Sequence, residues 1–151
     1  MKAFKLLSLL LLVGCYGFGY HWNPYTVLEK AQDAIINQDV YGMTEVTSEH
    51  ALCTYASRDG LKFLANATKD ASRSIELDQI IEKPNVEFYQ AKIRSSQGKL
   101  LAKTMIRCKH EDNAHWCNIV AIKTYNNQKR IVDVCEDLND FDEILKKLRK
   151  N

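Results

Sequence analysis

The period of the apolar residues changes once along this chain, near Ser72, and that change limits the folds open to it. Before it, Val27, Leu28, Ala31, Ala34 and Ile35 recur at helical spacing and predict a helix over 24–38. Asn23-Pro24 opens that helix, since an asparagine side chain caps a free N–H and a proline at the first position gives up no hydrogen bond. Asp39 is placed to cap a short second helix burying Val40, Met43 and Val46, and Ser48 a third containing Ala51, Leu52 and Tyr55. Asp59-Gly60 reads as an interruption, after which Leu61, Phe63, Leu64 and Ala67 predict one more helical stretch.

Beyond Ser72 the pattern alternates, as a half-buried strand requires. Ile75, Leu77, Gln79 and Ile81 predict a first strand ending at Lys83-Pro84-Asn85, and further strands follow over 86–94, 99–109 and 116–125. Ser95-Ser96-Gln97-Gly98 and Glu111-Asp112-Asn113-Ala114 supply the turns between them, and Asn126-Asn127-Gln128 leads to a fifth strand around Ile131, Val132 and Val134. Asp140 caps a final helix in which Phe141, Ile144, Leu145 and Leu148 share a face. The fold class expected is α+β, with N-terminal helices on one face of a curved antiparallel sheet of four to five strands and a short C-terminal helix.

The first residues address the chain for export. Lys2 and Lys5 precede an apolar stretch, Leu6 to Val13, which ends at Gly14-Cys15. That is the positive start, apolar middle and small residue of a signal peptide, too short for a bilayer core that takes about 20 residues to cross. Leu12-Val13-Gly14-Cys15 resembles the lipobox of bacterial lipoproteins. The resemblance implies removal of residues 1–14 and acylation of Cys15, with 15–22 as a lipidated tether and 23–151 as a single domain. Several acyl chains, at roughly 0.8 kcal/mol per buried methylene, anchor durably. Tyr16 in place of the aspartate that retains enterobacterial lipoproteins at the inner membrane leans the expectation toward the outer membrane. The alternative is an ordinary signal peptide cut near Gly17 or Gly19, which leaves a secreted soluble protein.

With Lys2 and Lys5 removed, the formal charge falls from +2 to near zero, so nothing basic argues for nucleic acid. Lys146, Lys147, Arg149 and Lys150 close a helix that begins acidic, where they complement its dipole. The order of elements over roughly 23–136, including the pair Gln38-Asp39 before the second helix, resembles the nuclear-transport-factor-like superfamily, whose cone fold is shared with ketosteroid isomerase. A cystatin-like sheet with one helix is the structural alternative.

Four cysteines accompany Cys15: Cys53, Cys108, Cys117 and Cys135. An even number in an exported chain favours disulfides, and three connectivities are open. A turn at 111–114 sets Cys108 opposite Cys117, close enough to bridge in a non-hydrogen-bonded pair, which leaves Cys53 to Cys135. The same register sets His110 opposite His115. Cys108, His110, His115 and Cys117 thus contain the donors of a structural zinc site, but a flat hairpin does not readily close a tetrahedron and an oxidising space favours the bridge. No metal and no cofactor is expected.

A cone-fold enzyme places an acid, base or donor in its cavity. The residues available for this are His50, Tyr55, Asp78, Tyr89 and Tyr125, none with a partner at diagnostic spacing, and Gly-x-Ser-x-Gly, phosphate-loop and His-Glu-x-x-His motifs are absent. The reading that follows is a non-enzymatic binding or interaction module of the cell envelope for a small apolar ligand or a protein partner. A small cone-fold isomerase or hydrolase, or an envelope immunity protein against a secreted toxin, are the alternatives. A cone interior filled by Phe63, Phe88, Ile106 and Val120 would count against catalysis.

Overall fold

The computed structural model describes residues 23–48, 55–111, 114–125 and 141–150. The fold is α+β. Helix α1 (Pro24–Asn37) starts as expected, with the Asn23 side chain accepting from the Thr26 N–H at 2.9 Å. Its buried stripe is Val27, Leu28, Ala31 and Ala34. The helix stops because Gln38 turns into the left-handed region at φ 54°, which lets the Asp39 N–H return to the Ala34 carbonyl at 2.8 Å. Asp39 then caps α2 (Val40–Val46) by accepting from the Gly42 N–H at 3.0 Å.

Helix α3 (Arg58–Ala67) corrects one expectation. Asp59-Gly60 does not interrupt the chain but lies in the first turn, because Ser57 caps the Gly60 N–H at 3.0 Å and an acidic residue suits a helix start.

Four strands follow in a meander, β1 (Ala71–Lys83), β2 (Val86–Ser95), β3 (Leu100–Glu111) and β4 (Ala114–Thr124), paired antiparallel in sequence order. Pro84 and a left-handed Asn85 (φ 63°) turn β1 into β2. Gly98 (φ 82°) closes the next turn, with its N–H on the Ser95 carbonyl at 2.9 Å. The fifth strand expected around Ile131, Val132 and Val134 lies outside the described residues, as does the third helix expected after Ser48 except for Ser48 itself and Tyr55.

Each face of the sheet carries its own core. On one, Val27, Leu28, Ala31, Ala34, Met43, Val46, Leu61 and Leu64 of the helices bury Ala91, Ile106, Cys108, Cys117, Ile119 and Ile122. Full burial of a large aliphatic side chain contributes about 1.5–3 kcal/mol, so this layer supplies much of the folding free energy. On the other face Phe88, Met105, Val120 and Ala121 pack with Ile80, Ile81, Val86 and two residues of α4 (Phe141–Lys150), Leu145 and Leu148. Lys123 pairs with Asp142 beside them.

The N-terminal helices lie on one face as expected, and the short C-terminal helix α4 covers the other. The four residues expected to fill one interior are divided: Phe63 and Ile106 go to the first core, Phe88 and Val120 to the second. Val120 alternates away from Ile119, which faces Ile106, and Phe88 faces Arg107. A register shift between Met105 and Ile106 makes Val120 an extra residue and sends Ala121 to the second core beside it. A second irregularity, between Gln79 and Ile81, moves Ile81 away from the face of Ile75 and Leu77.

Candidate functional site

The β3–β4 hairpin assembles the densest group of chemically active side chains among the described residues. Cys108 faces Cys117 with Cα atoms 4.1 Å apart, the short spacing of a non-hydrogen-bonded pair, and their sulfurs are bonded. Two residues toward the turn the alternation repeats, so His110 and His115 also meet closely. Their rings stack, with centroids 4.2 Å apart and planes 7° from parallel. His115 Nε2 lies 3.9 Å from Cys117 Sγ.

Glu87 joins the group from β2, where it stands opposite Cys108. Its Oε1 lies 3.3 Å from His110 Nε2, and its Oε2 accepts a 2.6 Å hydrogen bond from the Tyr89 hydroxyl. The turn at Asn85 holds this end of the sheet together, since the His110 N–H donates to the Asn85 carbonyl at 2.9 Å. The Tyr89 hydrogen bond holds the Glu87 carboxyl below its ordinary value of 4.5, against partial burial and with help from His110 and His115. The same bond, with burial, pushes the Tyr89 phenol up to about 12. The carboxylate is thus ionised and oriented, and the phenol keeps its proton.

At the far end of the sheet a cleft of about 400 Å³ opens between α1, α3 and the start of β1. Ile35, Ile36, Ala65 and Ile93 give it apolar walls, and among the described residues lining it Lys69 is the only ionisable one. Beneath lies a small apolar void of about 40 Å³ bordered by Leu28, Met43, Leu64 and Ile122, with Gln32, Ile35, Thr68 and Ile93 shared between the two.

The candidates named from sequence scatter. Tyr55 is buried, and its hydroxyl donates to the Ile122 carbonyl at 2.7 Å, a structural bond. Asp78 is exposed on β1 opposite Gln90. Tyr125 lies beneath the ammonium groups of Lys123 and Lys103, 5.4 and 6.0 Å from its ring centre. Only Tyr89 joins the hairpin group. His50, Cys15, Cys53 and Cys135 lie outside the described residues. Glu87 was not among the sequence candidates, and its signal is the β2–β3 pairing that sets it against Cys108.

Fold and site together define an α+β domain with a disulfide-bridged hairpin at one end of its sheet and an apolar cleft at the other. No protein-family model matches the chain, and no curated protein or solved structure matches it.

Proposed function

We propose that this chain is an exported, membrane-anchored binding module, without catalytic activity, that holds a small apolar ligand in the cleft between α1 and α3. The cleft carries the reading. Its walls are largely apolar, with Gln32, Thr68, Ser72 and Lys69 as the polar part of the described lining. It deepens toward the core, and that lining offers a single cation but no carboxylate, imidazole or phenol for proton transfer. A ligand with an apolar body and one acidic group fits that lining, its acid placed at Lys69. Anchoring through Cys15 rests on the Leu12-Val13-Gly14-Cys15 run, and the Cys108–Cys117 bridge agrees with an oxidising space. Among the described residues no helix is long and apolar enough to cross a membrane.

Displacement of a fluorescent fatty acid from the purified chain tests the cleft. Ala65→Trp, which fills it from α3, is expected to abolish binding with the far-ultraviolet circular dichroism unchanged. Undiminished binding by that variant would sink the reading. For the anchor, intact mass of the chain extracted from bacterial envelopes should show acyl groups on Cys15, and a mass that retains Met1 would exclude them.

A further inference from the structure

We propose that Glu87, His110 and His115 form a binding site for a divalent late transition-metal ion, zinc being the species tested, at the turn end of the sheet. The three side chains come from three neighbouring strands, and one ligand atom from each lies within 4.8 Å of the others. Metal–ligand bonds of about 2.0–2.2 Å in a tetrahedron separate adjacent ligand atoms by about 3.4 Å. The 3.3 Å between Glu87 Oε1 and His110 Nε2 is already that spacing. The stacked His115 ring brings its own ligand atom within 4.8 Å of both.

The surroundings favour a cation. Tyr89 holds Glu87 Oε2 and leaves Oε1 toward the histidines, the role that outer hydrogen bonds play around ligating carboxylates. Glu82 stands directly opposite Glu87 on β1 and adds negative charge that a bound cation offsets. Two residues behind the histidines the Cys108–Cys117 bridge fixes the separation of β3 and β4, so the site is built on a braced sheet. With both sulfurs in that bridge, no thiolate is available from the pair, and the donors are two imidazole nitrogens and one carboxylate oxygen. That set suits zinc, copper or nickel over calcium and magnesium, which take oxygen ligands. His110 is 45% exposed, which leaves room for water in a remaining position.

The test is calorimetric titration of zinc chloride into the untagged, oxidised full chain at pH 7.5, where the imidazoles can ligate. One ion per chain with micromolar affinity is expected. His110→Ala and His115→Ala should each weaken binding about tenfold or more, Tyr89→Phe should weaken it up to about tenfold, and Asp78→Asn should leave it unchanged. Each variant is checked for a native thermal midpoint, so that loss of the fold is told apart from loss of the ligand. Absence of binding by the native chain, or native affinity in a folded His110→Ala/His115→Ala variant, overturns the proposal.

Discussion

The Tyr55 hydroxyl donates a buried 2.7 Å hydrogen bond to the carbonyl of Ile122, 67 residues away, and so ties the helical segment to β4. It is one of several ties along this strand. Thr47 forms a parallel bridge to Ile119, and the Ser48 N–H donates to the Ile119 carbonyl at 2.8 Å. Among the described residues β4 ends the sheet, and these bonds occupy backbone groups that an open edge would offer to another chain.

Tyr55→Phe removes the donor and strands a carbonyl in the core. The expected cost is about 1–3 kcal/mol in urea unfolding, with secondary structure retained. An unchanged midpoint would show that water replaces the hydroxyl and that the bond is dispensable.

Stability should follow pH through Glu87 and Tyr89. The Glu87 carboxyl is lowered from 4.5 on folding, so its contribution is present in full above that value and is lost as pH falls through the lowered one. The Tyr89 phenol is raised from 10.0 to about 12, so its contribution is present below the unfolded value and is lost as pH rises through the folded one. Tyr89→Phe should therefore be less stable than the native chain between these limits, the gap closing toward both extremes. A gap of constant size across urea titrations at acid, neutral and alkaline pH would contradict this.

Removal of the bridge by Cys108→Ala/Cys117→Ala frees a loop whose ends are 9 residues apart. Loop-closure entropy alone predicts a loss of about 2–3 kcal/mol, visible as a lower thermal midpoint. Equal midpoints for the variant and the oxidised native chain would mean that the hairpin is held by packing alone.

The two hairpins differ in how much of them could be read ahead. Between the turn at 111–114 and Cys108 the β3–β4 register runs without irregularity, so counting back from the turn sets Cys108 against Cys117 and His110 against His115. On β2–β3 the register shifts between Ile93 and Arg94, close to the Ser95–Gly98 turn. Counting from that turn sets Glu87 against Arg107, on the wrong face, and hides it from the histidines. The same shift divides the expected interior, because it sets Phe88 against Arg107 instead of Ile106, without any glycine or proline to mark it. Helix positions were easier, since Asn23 and Asp39 announce themselves as caps. Asp59-Gly60 misleads because the cap one turn earlier, Ser57, decides whether such a pair breaks a helix or begins one.

The Cys108–Cys117 bond also decides what a protease can do to this molecule. A cut at any peptide between those two residues leaves the β1–β3 portion and the β4 portion joined through sulfur. Such a nicked chain migrates as a single species until a reductant is added, and then separates into two, so damage at the hairpin tip stays hidden for as long as the surroundings remain oxidising.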